Sequence, residues 1–420
     1  MGKWSLLMVL GFSLVVLTIM PRVNWRVNEA FRNFVGYQDT SVARNIAVSA
    51  ANMAANMVFE SPSGTMWTTG FPSTAFNGGT FTAAISKLTG IDSSDYKILA
   101  VGNYQAAKET CTVILEPGSF ARFAYFSNIE GAIQWATQDT VWGPMHTQDI
   151  MNISGSPTFY GKVTALKGTN PTKSSANFLG GYQSGVSIPL PGNLTGLATA
   201  ATAGGYTAPA SKDLYVIFKK DSVRYALVNN KAAAPSAGSY TTKPLSQFAP
   251  NGAVVVPSGD LHVEGTIKGK ATFATTSAGH SVYIDSSIHY NIPPTWIKDN
   301  TGKMVYQDTS SEDLLGICSY DSIIVSDNAI NNKGCNIDAA MFCLKGGFGA
   351  QDYASLPIAG NLTIYGGVQQ NQRDPVGIIG GGGTITNGYQ KNYNYDNRLM
   401  TSYPPFYPAT GTYQIISWLE

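Results

Sequence analysis

Two textures of apolar patterning divide the chain. Residues Trp4 to Met20 (WSLLMVLGFSLVVLTIM) run for seventeen positions without a charge, the short end of the roughly 17–25 apolar residues that cross a bilayer as a helix. From Asn24 to Phe59 there is no Pro and a single Gly, Gly36. Between Val42 and Val58, residues Ala43, Ile46, Ala47, Ala50, Ala51, Ala54, Met57 and Val58 recur at helical spacing. Ser61-Pro62-Ser63-Gly64 then predicts a stop. The pattern predicts one rod over residues 4–59, ~80 Å long at a rise of about 1.5 Å per residue, far more than a membrane needs. The narrow Ala stripe suits close packing, and the pattern leaves open whether it meets other helices or a β-domain of the same chain.

After Gly64 the texture changes to short alternating runs broken by Gly, Pro, Asn and Ser. Thr80 to Ile85, Tyr96 to Val101 and Thr110 to Leu115 read as strands of a small sheet, Ile129 to Thr137 as a short helix, and Leu214 to Phe218 with Val223 to Val228 as a hairpin around Lys220 and Asp221. The stretch Thr164 to Lys212, poor in charge, reads as a surface excursion. Three segments share one pattern of acid or amide, alternation, then Gly: Asp149 to Gly155, Asp260 to Gly265 and Asn361 to Gly366. With further strands expected at Val282–Ile284, Ser322–Val325, Asn336–Phe342 and Thr384–Thr386, this suits the coils of a parallel β-solenoid, with residues 253–290 and 318–368 in one body. An irregular β-sandwich is the competing reading. The expected fold class is therefore mainly β: an N-terminal anchor and extended helix over 1–60, a small β-sheet region over 61–140, and a β-solenoid (β-helix) body over 141–420 with the excursion at 165–212.

Composition narrows the function classes. Charged residues make up 13% of the 420, about half the roughly 25% usual in soluble domains, and Gly (44) and Tyr (22) stand high instead. A net charge of +1 gives no basic excess to neutralise phosphates, so nucleic acid is not an expected partner. At 44% hydrophobic residues the chain can bury a core, and four Cys do not make a disulfide scaffold. A cleaved signal peptide would end in small residues, whereas this segment runs into Met20-Pro21-Arg22 and the first Ala is Ala30, so a retained anchor is expected. The balance of Lys3 and the α-amino group against Arg22, Arg26 and Arg32 slightly favours the opposite orientation; the surface-like composition and the lack of another spanning segment place the body outside.

Candidate chemistry is sparse. The four His are His146, His262, His280 and His289, and no H-E-x-x-H, C-x-x-C, P-loop or G-x-S-x-G motif is present. The Gly380–Gly383 run lacks the Lys-Ser/Thr pair of a phosphate cradle. Asp139 and His146 invite a general-base reading without a nucleophile, and Asp321 and Asp327 a carboxylate-pair reading, but Asp in such turns commonly satisfies backbone N–H groups. Asp327, Asn331, Asn332 and Asp338 offer oxygen ligands suited to calcium without EF-hand spacing. Trp142, Trp296, Tyr389, Tyr393 and Tyr395 are aromatic platforms for sugars. Cys111, Cys318, Cys335 and Cys343 allow three pairings, with Cys335–Cys343 the nearest in sequence. No catalytic, cofactor or metal residue is assigned.

The segments GFSLVVLTIMPRVN, ARNIAVSAANMAANMVFE, DTVWGPMHTQDIMNISGSPTFYGKVT, YDSIIVSDNAINNKGCNIDAAMFCLKGGFGA and PPFYPATGTYQIISWLE resemble an uncharacterised family of bacterial membrane-anchored envelope proteins, related in layout to PilX-type minor pilins of type IV pilus systems. The resemblance spans most of the chain apart from the excursion. It implies an anchor helix, an exported β-rich body, a non-enzymatic pilin-like or filament role at the cell surface or inner membrane, and partners met through the N-terminal helix: the membrane, further copies or pilus-system proteins, with a surface polysaccharide as an additional partner. The chain departs from the pilin pattern where Gly2 precedes Lys3 and no acidic residue occurs before Glu29, so prepilin processing is not implied. The alternative is a membrane-tethered carbohydrate-binding or carbohydrate-active β-solenoid.

Overall fold

A computed structural model of the chain describes residues 2–60, 70–88, 95–137, 139–293, 295–298, 304–307, 311–380 and 385–420. A long N-terminal helix is followed by a sheet-rich body, divided between two compact units: Met1–Pro117 with Gly411–Glu420, and Gly118–Thr410.

In the first unit the helix Gly2–Glu60 runs 59 residues, continuing through Pro21. Every residue from 2 to 38 is exposed, whereas Ala43, Ile46, Ala47, Ala50, Ala51, Ala54, Ala55 and Val58 are buried. Those buried positions pack on one face of an antiparallel sheet through Phe81, Ala83, Ile98, Ala100, Cys111, Val113 and Leu115. Burying each of the larger aliphatic and aromatic members contributes roughly 1.5–3 kcal/mol. The Ala stripe thus meets the chain's own sheet. Close approach is also written into the sheet: a Cβ on Gly102 would lie 2.2 Å from the Ala43 carbonyl oxygen and 2.6 Å from the Ala47 nitrogen, both helix backbone. The predicted stop at Ser61–Gly64 lies outside the described residues.

The sheet follows from its turns. Phe71–Phe76 and Gly79–Lys87 pair antiparallel across Asn77-Gly78, both at positive φ (49° and 77°), the Asn-Gly chemistry of a two-residue hairpin. Tyr96–Tyr104 pairs antiparallel with Gly79–Lys87 and with Ala107–Ser119. The C-terminal strand Ala409–Leu419 completes the sheet beside Ala107–Ser119, and the rings of Tyr96 and Tyr413 meet edge to face at 5.6 Å.

In the second unit most neighbouring strands pair in parallel. One series runs Ala253–Val256, Lys270–Thr275, Leu314–Ser319, Cys335–Cys343 and Ile358–Gln372. Another runs Lys212–Lys220, Leu261–Ile267 and Val282–Tyr290. Residues 253–290 and 318–368 therefore fall in one unit. The predicted hairpin forms between Lys212–Lys220 and Ser222–Asn229, with Lys220 at φ 61°. The Gly that closes two of the three repeated patterns has a common cause; the third, Gly155 at φ 81°, instead faces the Thr137 hydroxyl. Gly265 and Gly366 sit at φ 104° and 155°, and a Cβ there would strike the carbonyl oxygens of Phe218 and Ala339 on the preceding strands at 2.4 and 1.8 Å.

Several expectations differ from the structure. Ile129–Thr137 is not a helix: Tyr125–Ile129 is a strand in parallel register with Val368–Gln372 and Met145–Thr147, followed by a turn and the short strand Trp135–Ala136. The apolar run Tyr125-Phe126 is buried on both faces, which erases the period-two signal. Because of that pairing, residues 118–140 join the second unit, so the division falls at Pro117/Gly118 where a boundary at 140 was expected. The stretch 165–212 is not wholly an excursion. Val163–Ala165 and Tyr182–Ser184 continue the parallel pairing, and the helix Thr195–Gly204 buries Leu197, Ala200 and Ala201. Finally, all four cysteines are free and buried. Cys335 and Cys343 begin and end one nine-residue strand, putting them ~26 Å apart at about 3.3 Å per residue, well beyond the ~7 Å limit between bridged Cα atoms.

Candidate functional site

The second unit holds a cavity of about 280 Å³. Its floor is set by a buried ion pair, Arg373 Nη1 to Glu130 Oε2 at 3.0 Å. Glu130 is fully buried and accepts further hydrogen bonds from Trp135 Nε1 at 3.1 Å and from the Ser127 hydroxyl. The Arg373 guanidinium lies 4.1 Å above the Trp135 ring. Such a pair persists in a low-dielectric setting because its remaining donors and acceptors are satisfied. Burial opposes the charge on Arg373, but Tyr125 and Glu130 hold its pKa above the ordinary value.

Around this floor stand Asp139, Trp142, Asp374, Lys391, Tyr393 and Tyr395. Lys391, Tyr393 and Tyr395 alternate on the strand Ile385–Tyr395, so they share a face. Asp139 Oδ2 accepts from the Ala136 amide at 2.7 Å, which fixes its turn. Burial raises the Asp374 carboxyl above its usual value. Desolvation by the surrounding wall, reinforced by Arg373, pushes the Lys391 ammonium down to about 8. The Trp142 indole stacks on Tyr160 at 4.2 Å with 5° between planes, and the Tyr395 hydroxyl donates to the Arg122 carbonyl at 2.9 Å.

The structure thus brings together four residues singled out in the sequence, Asp139, Trp142, Tyr393 and Tyr395. Tyr389 is instead buried in the hydrophobic core, and the side chain of Trp296 lies outside the described residues, as do Gly381–Gly383. Arg373, Glu130, Trp135, Asp374 and Lys391 carry no motif. The period-two run Lys391-Asn392-Tyr393-Asn394-Tyr395 is the signal that reaches Lys391.

His146 is not part of the cavity. It is fully buried, with Nδ1 2.7 Å from Thr164 Oγ1 and Nε2 3.2 Å from Gln148 Oε1, and burial lowers its pKa to about 4. Both ring nitrogens are thereby committed to neutral partners. His262 Nδ1 lies 2.8 Å from Asp285 Oδ2, and Ser326 Oγ donates to Asp285 Oδ1 at 2.6 Å. The hydroxyl bonds the carboxylate, not the imidazole, so this arrangement does not activate a serine. His262 also stacks between Tyr215 and Tyr283 at 4.0 and 4.9 Å. His280 and His289 sit 3.7 and 3.8 Å from Asp260 and Asp338.

The turn acids serve the backbone. Asp321 Oδ2 accepts from the Gly279 amide at 2.6 Å, and Asp260 Oδ1 from Ser281 at 2.8 Å. The four residues considered for calcium have separate duties: Asp338 takes the Tyr290 amide, Asn331 donates to the Ile284 and Ser326 carbonyls, and Asn332 donates to Asp327. Among the described residues no group of three His, Cys, Asp or Glu side chains is placed to hold a metal ion.

No family model and no curated protein matches the chain. Among solved structures, the crystal structure of the competence-associated pilin ComZ from Thermus thermophilus is similar over 91% of this chain and 97% of that one, with a TM-score of 0.37 and 11% identity. A likeness that distant carries no argument here.

Proposed function

We propose that this chain is a non-enzymatic, membrane-anchored protein of the bacterial envelope, a pilin-like or filament-associated component assembled through its N-terminal helix, with a β-solenoid as its body. The observation that carries the reading is the unequal treatment of one helix. Residues 2–38 are exposed throughout, including Trp4, Leu6, Leu7, Leu10, Phe12 and Leu17, and the helix is long and apolar enough to cross a membrane. Water does not tolerate so large a contiguous apolar surface on a monomer.

A bilayer covers only part of it. A hydrocarbon core of roughly 30 Å takes up about 20 helical residues, which accounts for Trp4 to Val23. Trp25, Val27, Phe31, Phe34 and Tyr37 remain exposed beyond that span, interleaved with Arg22, Arg26, Glu29 and Arg32. Apolar residues mixed with charges suit packing against other helices outside the membrane, in further copies of this chain or in pilus-system proteins. The parallel stacking of the second unit supports the solenoid reading, and the low charge and high Gly and Asn content of the chain suit exposure outside the cell.

The test is where the native chain resides. Cells are sheared, surface filaments are purified, and filament and membrane fractions are probed for the protein. We expect it in filaments, with an unassembled pool in the inner membrane; recovery solely as a soluble cytoplasmic protein would contradict the proposal.

A further inference from the structure

We infer that the cavity of the second unit binds one neutral pyranose ring of a surface glycan, its apolar face on the Trp142 indole and its hydroxyls shared among Asp139, Asp374 and Lys391. The inference is independent of how the helix is anchored.

Size sets the first limit. A volume of about 280 Å³ lies at the small end of the roughly 300–1,000 Å³ of small-molecule sites, enough for a single ring and too small for an extended chain. Shape sets the second. Trp142 lines the cavity, while Tyr160, stacked flat against it, does not. The stack on Tyr160 holds the indole in plane where it borders the cavity, so its contact with a ligand comes at low entropic expense, as with aromatic contact residues in binding sites.

Charge decides the class of ligand. Arg373 is already paired with Glu130 and covers the Trp135 face. No ion pair or hydrogen bond joins Lys391 to another described residue, and two carboxylates, Asp139 and Asp374, line the same space. An anionic sugar would meet those carboxylates, and an amino sugar would meet Lys391 and Arg373. A neutral polyol suits both: its hydroxyls donate to carboxylate oxygens and accept from the ammonium, and hydrogen bonds to ionised groups are the stronger kind.

The test uses the full chain in detergent, titrated with glucose, galactose and N-acetylglucosamine as neutral probes, with glucuronate and glucosamine as charged ones, and with dextran as a polymer. Binding is read by ligand-observed NMR and tryptophan fluorescence. We expect at least one neutral ring to bind more tightly than both charged sugars. Trp142→Ala should weaken it about tenfold, and Lys391→Met about fivefold to tenfold. Should Trp142→Ala not fold, as judged by circular dichroism, the exposed Lys391 decides the matter alone. Because a single ring fills the cavity, competition by a glycan whose terminal ring is the preferred neutral sugar (dextran where that sugar is glucose) would mark a chain end as the source of the ring, whereas binding of the monosaccharide with no competition from such a glycan would overturn the glycan assignment. Absence of binding by every neutral probe, tighter binding of glucuronate or glucosamine, or neutral-sugar affinity unchanged in Lys391→Met would overturn the inference.

Discussion

The two halves of the helix Gly2–Glu60 are equally apolar in parts and end in opposite surroundings. The half from Ala43 to Val58 buries five alanines without trace of exposure, with Ile46 and Val58 between them. The half from Trp4 to Tyr37 exposes Trp, Leu, Met, Phe, Val and Tyr side chains. What separates them is side-chain size. Small residues let helix backbone settle onto a sheet whose own backbone comes forward at Gly102, whereas large ones project too far for that contact and need a deformable or complementary partner. Apolar content alone predicts a long helix; the volume of the apolar residues says which part packs within the chain.

The most severe way to break this contrast is at Gly102. A Gly102→Val side chain would collide with helix backbone at Ala43 and Ala47, which cannot move away as a side-chain tip can. We expect a loss above about 4 kcal/mol in urea unfolding of the first unit. In Gly36→Val, where nothing lies within 4 Å of the added Cβ, the change should stay under about 1 kcal/mol.

The second test contrasts buried polar sites rather than apolar ones. The folded-state pKa of His146 is about 4, below the ~6.5 of an unfolded His. Between these values the unfolded chain binds the proton and the native one does not, so stability falls as pH drops from about 6.5 to 4 and levels off below. The full loss is about 3 kcal/mol, read from unfolding midpoints of the second unit. His146→Gln should flatten that part of the profile.

A finer probe returns to the helix. Ala50→Leu adds volume to a fully buried position and should destabilise the first unit by about 1–3 kcal/mol. Phe31→Ala, at an exposed site, should leave unfolding in detergent within about 0.5 kcal/mol while reducing recovery of the protein in filaments. The smallest effect is expected from reductant. With four free buried thiols, dithiothreitol should leave the unfolding midpoint unchanged, and free-thiol titration of the denatured chain should find all four reactive.

How far the sequence carries these features depends on how local their causes are. The rod and the turn at Lys220 follow from residues adjacent in the chain and are read directly; the Asn77-Gly78 hairpin has an equally local cause, but the first strand expected from the sequence starts only at Thr80. The closing Gly of the second and third repeated patterns is visible as a pattern, but its reason, the carbonyl of a strand some fifty or fewer positions earlier, is a tertiary contact (Gly265 against Phe218, Gly366 against Ala339). Ile129–Thr137 misleads for a similar cause: the strand that ends at Ile129 finds its partner in Val368–Gln372, and after a turn the two-residue strand Trp135–Ala136 is too short to show alternation. The cavity was half legible. Trp142, Tyr393 and Tyr395 stood out as aromatics, whereas Arg373 and Glu130, far apart in sequence, become meaningful only when the parallel pairing joins them.

The central claim is that the exposed helix beyond the bilayer packs against other protein helices. Photo-crosslinking in native membranes and filaments tests it most directly, with a photoreactive residue placed in turn at Phe12, Phe31 and Ala50. The account predicts lipid adducts from Phe12, protein–protein adducts from Phe31 in the filament fraction, and intrachain adducts from Ala50. Phe31 giving only solvent-quenched product or lipid adducts in assembled material would contradict it.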